Sequence, residues 1–537
     1  MTGETGERWF LTQTERGNAA TALDRRRGDG RAYTTGNQVQ VLAHGAAYFQ
    51  KLLAALRAAA PGDWVHFTDW RGDPDERLDG PGTEVARVLA DAARRGVHVR
   101  GLVWRSHTDR AHFSEEENLH LVETVNEAGG EVLLDERVRR DGSHHQKLFV
   151  VRRPDDPSRD VAFVGGIDLC HGRRDDAAHE GDPQAIDLDP RYGPRPAWHD
   201  VQLFVRGPAV GDLAWTFRER WEDPTPLDHR TPWRTALRKV AREPRHPDPL
   251  PPMPDDPPAA GRCAVQVLRT YPAKRPPFDF APQGERSIAR TYVKAFQQAR
   301  RLVYVEDQYL WSRAAAGAMA DRLGSERGLH LVAIVPRYPD RDGRLSGPPY
   351  RIGQQLAIEL LRQVGGERVA VFDLEAESGW PIYVHAKVCT IDDTWMAVGS
   401  DNFNLRSWTN DSELSCAVID EQRDTREPVD PGGHGDGARV LARQTRLDLW
   451  REHLGREDGE DEDLVDVIDG IEVLRRSAEA LDAWCRGGRR GPRPPGRLRP
   501  HRPGPVRWWA KWWADPLHRL AVDPDGRPRA LRRKGTF

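Results

Sequence analysis

His145-Gln-Lys147 and His385-Ala-Lys387 are the two words that decide the reading of this chain. Each stands at the start of an apolar, β-like run. The first run leads to the pair Gly165-Gly166 and the second to Gly399-Ser400. A histidine and a lysine two apart on a strand point to the same face. The chain has 8 lysines against 72 arginines, and 19 histidines. Chance would place about 0.3 His-x-Lys words in such a sequence. With arginine so favoured elsewhere, lysine at these two places reads as a requirement for a compact ammonium in a crowded anion site.

Working outward, the sequence repeats one plan twice. The first copy has a helical stretch Tyr48–Arg57, a strand Trp64–Trp70, a helix Glu84–Arg95 closed by Gly96, and a strand Val97–Trp104. The second has a helix Ser287–Arg300, a strand Leu302–Gln308, then Gly328 and a strand Leu329–Val335. Each copy then reaches its His-x-Lys strand. Strands alternating with helices predict α/β sheets, mostly parallel or mixed and covered on both faces. The expected division is an N-terminal arm 1–36, a first domain 37–223, a proline-rich linker 224–260, a second domain 261–455 and a tail 456–537. In the tail, the acidic run 456–469 and the basic, proline-rich stretch 486–507 read as solvated segments. The tail then presents Trp508-Trp-Ala-Lys-Trp-Trp513.

Composition narrows the class. A 537-residue chain with 38% hydrophobic and 30% charged residues and a net charge of −3 reads as a multidomain globular protein. No apolar run approaches the ~20 residues of a membrane span, and the first residues lack the pattern of a secretory signal. Five scattered cysteines show no metal-ligand spacing. A reduced cytoplasmic protein, peripheral on a membrane at most, is expected. No cofactor and no metal are expected.

Two imidazoles and two ammonium groups around one anion are equipment for phosphodiester cleavage. One histidine attacks phosphorus and forms a phosphohistidine. The other protonates the leaving oxygen, then activates the water that resolves the intermediate. Lys147, Lys387 and an amide such as Asn402 hold the non-bridging oxygens. Each histidine needs an acceptor on its other nitrogen, and Asp200 and Glu413, at equivalent points of the two copies, are the candidates.

These words resemble the phospholipase D superfamily, whose signature is HxKxxxxD followed by a Gly-Gly or Gly-Ser pair and an Asn. The second copy carries it in full: His385, Lys387, Asp392, then Gly399-Ser400-Asp401-Asn402. The first copy's His144-His145-Gln-Lys147 and Gly165-Gly166-Ile-Asp168, and the phrases Trp198-His-Asp200 and Tyr304-Val-Glu-Asp-Gln-Tyr309, are similar to bacterial, phosphatidylcholine-hydrolysing members, and the resemblance as a whole spans residues 37–455. The resemblance implies two pseudo-symmetric α-β-α sandwich domains with one active site at their interface. It implies His145 as nucleophile and His385 as acid/base, with Lys147, Lys387, Asp392 and Asn402 in the catalytic set. Asp200, Glu413, Asp168, Gly166 and Ser400 then support it. The implied partners are a phospholipid at a membrane surface and water or a primary alcohol as acceptor, with no nucleic acid favoured, and the chain acting as a monomer.

Two departures stand out. Arg152 occupies the place of the first motif aspartate, with Asp155 or Asp160 as possible stand-ins, and Asp168 replaces the first motif asparagine. A carboxylate beside a phosphate is unfavourable unless a lysine pairs with it. The alternatives are a nucleic-acid phosphodiesterase, a cardiolipin synthase-like phosphatidyltransferase, and a lipid- or phosphate-binding protein impaired by the Arg152 change.

Overall fold

The computed structural model describes residues 3–105, 115–227, 246–340, 347–504 and 506–537. Much of the expected linker, residues 228–245, lies outside the described residues. The first half contributes β1 (Thr34–Ala43), β2 (Trp64–Asp69), β3 (His98–Trp104), β4 (Glu131–Asp135), β5 (Leu148–Arg152), β6 (Val161–Gly165), β7 (Ala197–His199) and β8 (Val201–Arg206). The second contributes β9 (Cys263–Tyr271), β10 (Glu285–Arg286), β11 (Leu302–Asp307), β12 (His330–Ile334), β13 (Val369–Glu375), β14 (Pro381–Val384), β15 (Lys387–Ile391), β16 (Trp395–Gly399), β17 (Glu413–Asp420) and β18 (Leu498–Pro500).

Both halves wind their sheets in the same order. In the first it runs β4-β3-β2-β5-β6-β8-β1, with β2–β3 and β3–β4 parallel and the other pairs antiparallel. In the second it runs β13-β12-β11-β15-β16-β17-β9, with the same directions at every pair. This is the two-domain, pseudo-symmetric α-β-α sandwich fold. The sheet faces turned toward each other share one core. There Val150, Val164 and Leu203 of the first half join Val388, Val398 and Cys416 of the second. The helices Ala209–Trp221 and Val440–Leu454 add Phe217, Trp221, Leu447 and Trp450 to it. The opposite faces are covered separately. Phe49, Leu52 and Leu89 cap the first sheet, and Tyr292, Phe296, Met319 and Ile358 cap the second.

Both terminal regions pack against the two halves. Trp9, Phe10 and Leu11 of the N-terminal arm pack into the second half's outer core. The stretch 486–507 is not simply a solvated linker: Leu498–Pro500 adds an antiparallel edge strand to β13. Its charge explains this, because Arg499 pairs with the buried Glu375 and Asp482 at 2.8 and 2.7 Å. The helix Val467–Arg486 follows the acidic run and buries Val467, Ile471 and Leu474. Among the described residues no helix is long and apolar enough to cross a membrane. All five cysteines are free thiols.

Candidate active site at the interface of the two halves

The two His-x-Lys words meet because the backbone pairs across the halves. His144 forms a parallel bridge with Ser412, and the His145 N–H donates to the Ser412 carbonyl at 2.9 Å. β14, which leads into His385, runs parallel to β7, with Val384 opposite His199. The His385 N–H donates to the His199 carbonyl at 2.8 Å. Each histidine is thereby laid beside the residue that follows its partner in the other half. His145 Nδ1 lies 2.9 Å from Glu413 Oε2, and His385 Nδ1 lies 2.6 Å from Asp200 Oδ2. With Nδ1–H given to a carboxylate, Nε2 is the nitrogen left for substrate.

The glycine pairs make room for these carboxylates. A Cβ on Gly165 or Gly399 would collide with Gln202 or Ser415 on the neighbouring strand, and one on Gly166 with Asp200 itself. In the second half the Ser400 hydroxyl donates to Glu413 and accepts from the Leu414 N–H at 3.0 Å. Asp69 and Asp307, at equivalent strand ends, pin the loops that follow the glycine pairs. Asp69 accepts the Leu169 N–H at 3.3 Å, and Asp307 that of Phe403 at 2.9 Å.

The lysines face different partners. Lys147 Nζ sits 3.0 Å from Asp168 Oδ1, so the carboxylate that replaces the motif asparagine is paired with a lysine. Lys387 Nζ donates to Gln308 Oε1 at 3.3 Å and to the His385 carbonyl. Gln308 was not singled out by the sequence reading, although it ends the Glu-Asp-Gln phrase. Asn402 is buried, and its Oδ1 has no hydrogen-bond partner. Trp198 packs on His385 with ring centroids 5.0 Å apart, and the Arg173 guanidinium covers Trp198 at 3.8 Å.

Burial and the neighbouring lysines set the charges. Burial, then Lys147, hold the His145 imidazole well below its ordinary pKa. Burial and Lys387 bring His385 down to about 3, against the opposing pull of Asp200. Burial, with Lys147 adding to it, lowers Lys387 to about 8. The carboxylates diverge. Burial lifts Glu413 to about 7, while burial at Asp200 is outweighed by His385 and Lys387, which hold it below the usual range. At Asp168, burial is likewise outweighed by Lys147, then Arg173.

Asp392 requires a correction. It does not stand with His385 but at the far end of β15, in the hairpin turn to β16. Its carboxylate accepts the N–H groups of Arg300, Arg301 and Leu302 at 2.8, 2.8 and 2.7 Å. It anchors the entry to β11 and touches no reacting group. In the first half, Asp63 caps the corresponding turn by accepting the Ala60 N–H at 2.9 Å. The departure at Arg152 therefore takes nothing from the site. Arg152 instead pairs with Asp160 at 2.5 Å and donates to the Asp255 carbonyl at 2.6 Å. Asp160 serves that ion pair and the Arg153 N–H, not the helix–strand turn.

Of the remaining histidines, His144 is fully buried with neither ring nitrogen hydrogen-bonded. His171 pairs with Asp75 at 2.9 Å. Trp104, Trp198, Trp311 and Trp408 are buried, and Trp70 packs edge-on against His145 at 6.2 Å.

A doubled α/β sandwich with paired His-Lys sets at its seam defines a class, and comparison with known proteins places the chain in it. The family profile described as Phospholipase D matches residues 75–232 and 371–486, about half of the chain. The one described as Cardiolipin synthase, PLD-like domain, matches residues 292–427. The chain belongs to the phospholipase D family. It is 26% identical over 511 residues to phospholipase D alpha 1 of Cynara cardunculus, a match covering 71% of this chain and 60% of that protein. It is also 26% identical to phospholipase D alpha 1 of Ricinus communis, covering 73% and 61%. The chain thus spans about 60% of the length of these curated relatives. Among solved structures, the phosphatidylserine synthase of Haemophilus influenzae aligns with a TM-score of 0.47 at 15% identity, covering 72% of this chain and 83% of that one.

Proposed function

We propose that this chain is a phospholipase D-type phosphodiesterase that opens the headgroup ester of glycerophospholipids and passes the phosphatidyl group to water or a primary alcohol. The observation that carries the reading is the pair of histidines at one seam, each oriented through Nδ1 by a carboxylate of the other half.

In this mechanism His145 Nε2 attacks phosphorus and forms a phosphorus–nitrogen bond while the bond to the headgroup oxygen breaks. The His385 imidazolium gives its proton to that oxygen. His385, now neutral, takes a proton from water or an alcohol, whose oxygen attacks phosphorus and releases His145. Two in-line displacements retain configuration at phosphorus. The unequal carboxylates favour this division of labour. Ionised Asp200 stabilises the imidazolium that His385 must become, whereas Glu413, raised to about 7, leaves His145 neutral and nucleophilic. An arriving phosphate monoanion favours the protonated form of His385, so the acid is charged as the substrate binds. Lys147, Lys387 and Asn402 would hold the non-bridging oxygens. Both sets lie on one chain, so a monomer suffices.

A lipid surface fits the tail. Trp508 and Trp512 are 77% and 81% exposed on the helix Trp508–Leu517, whose Ala510 and Ala514 pack inward. Exposed indoles beside arginines suit a membrane interface. The match to the cardiolipin synthase-like profile favours a second reading, in which a lipid alcohol is the normal acceptor.

The test incubates the protein with phosphatidylcholine vesicles and a primary alcohol, beside His145→Ala and a DNA substrate. Free choline and phosphatidyl-alcohol, absent with His145→Ala, are expected. No product from any phospholipid sinks the lipase reading, and DNA turnover would replace it with the nuclease.

A further inference from the structure

Beneath the active site lies a second cluster of titratable groups that the proposed chemistry does not use. His44, His179 and His199 of the first half converge on Glu452 of the helix Val440–Leu454 in the second. We propose that these four side chains form a structural site for a divalent transition-metal ion, zinc by preference, clasping the two halves behind the catalytic histidines.

The donor atoms are already gathered. His44 Nε2 is 2.8 Å from Glu452 Oε2, His179 Nε2 is 3.1 Å from Oε1, and His199 Nδ1 is 3.5 Å from Oε1. One ligand atom from each residue lies within 4.8 Å of every other. Tetrahedral zinc with bonds near 2.0–2.1 Å separates its donors by about 3.3 Å, so a small contraction would seat the ion. Three imidazoles and one carboxylate are a donor set that zinc favours and that magnesium or calcium does not.

Hydrogen bonding alone can satisfy His199 between Glu306 and Glu452 only as an imidazolium carrying both ring protons; a neutral ring leaves one carboxylate unmatched. The other ring nitrogen of His199, Nε2, lies 2.6 Å from Glu306. If Nε2 carries the proton, Nδ1 presents a lone pair toward the Glu452 carboxylate, acceptor against acceptor. His199 is fully buried, and its Nδ1 makes no hydrogen bond. A cation between Nδ1 and Glu452 removes that conflict and leaves the carboxylate–histidine–metal arrangement that orients ligands in metal sites. Glu306 is already filled in that outer role, accepting also from Tyr304 and lying 2.7 Å from His453 Nε2. One divalent ion would offset Glu452 and Glu306 in this buried setting, and Asp175, 3.5 Å from His179 Nδ1, is a further outer carboxylate. His44 and His179 both hold a positive φ, 69° and 55°, which non-glycine residues keep only where surroundings impose it.

The ligands come from the start of one helix, a loop, the end of β7 and a helix of the other half, so no local spacing announces them. The site has a mechanical consequence. His199 precedes Asp200, and its carbonyl receives the His385 N–H. An ion on His199 would fix the strand that presents both.

The test measures metals in the purified full chain by mass spectrometry after growth with zinc. It is repeated with His179→Ala and Glu452→Gln, and followed by cobalt reconstitution and thermal melting with and without a strong chelator. About one ion per chain in the wild type is expected, with at least a tenfold loss in both variants. Cobalt should give the visible bands of a four-coordinate ion, and chelation should lower the wild-type melting temperature, restored by zinc. The chelation arm needs no variant and so stands even if a variant fails to fold. A wild type that binds less than about a tenth of an ion after zinc loading, with melting indifferent to chelator, would overturn the proposal. So would stoichiometric metal retained by both variants.

Discussion

His145, carried by the first half, is held through Nδ1 by Glu413 of the second at 2.9 Å. The reciprocal bond from His385 to Asp200 makes the arrangement a crossed brace. Each histidine takes its Nδ1 partner from the other half, so the candidate site is assembled only when the two halves are docked. The shared core of β5, β6 and β8 against β15, β16 and β17 maintains that docking.

The two arms of the brace should respond unequally. Asp200→Asn removes the charge that stabilises the His385 imidazolium and should lower kcat for headgroup release by about 10²–10⁴-fold. Glu413→Gln replaces a group already raised to about 7 and should cost less, about tenfold. Steady-state kinetics of both variants check this. An Asp200→Asn enzyme with wild-type kcat would deny the brace a catalytic role.

Stability should carry the mark of Glu413. Its folded-state pKa is raised from 4.5 to about 7 by burial. The folded protein therefore holds that proton more tightly than the unfolded chain does. This contribution is complete below about pH 4.5 and is lost as pH rises through about 7. Glu413→Gln, a permanent stand-in for the protonated form, should melt closer to wild type at pH 5 and gain on it toward pH 8. Calorimetry across that range tests the sign, and a difference independent of pH contradicts it.

The second residues of the two glycine pairs are not interchangeable. Gly166→Ser, although it copies the second half, drives a Cβ into Asp200 and should lower activity at least tenfold by displacing His385. Ser400→Gly only loses the hydroxyl bonds to Glu413 and Leu414 and should destabilise by about 1 kcal/mol. Parallel assays and melting curves separate the two effects.

The altered motif position is a matter of stability. Arg152→Ala strands Asp160 in a buried setting and should cost about 3–5 kcal/mol. Asp392→Ala removes the acceptor of three backbone N–H groups. Assayed well below their melting temperatures, both variants should keep kcat within about threefold of wild type. A selective loss of kcat in a fully folded Asp392→Ala enzyme would return that residue to the chemistry.

Much of the fold was legible because each copy repeats its signals. The helix ending at Gly96 and the strand beginning after Gly328 announce equivalent units, and both sheets follow the same order. Asp200 and Glu413 could be named from their matching places at the start of alternating runs. That each serves the other half's histidine could not, because the crossing is set by the His144–Ser412 bridge and the β7–β14 pair, contacts between segments roughly two hundred residues apart or more. Asp392 was misplaced because a motif records recurrence, not position: five residues along an extended strand carry it roughly 16 Å from Lys387. The edge strand at Leu498 was hidden by its prolines and arginines, because Arg499 pairs with Glu375 124 residues before it as well as with the nearer Asp482.

The most direct measurement is trapping of the covalent intermediate. A phosphodiester with a good leaving group needs no acid for the first step, so His385→Ala should form the adduct and fail to resolve it. Alkaline quenching and peptide mass spectrometry should then find the phosphoryl group on His145. An adduct on any other residue, or none at all with inversion of configuration at phosphorus, would contradict the account.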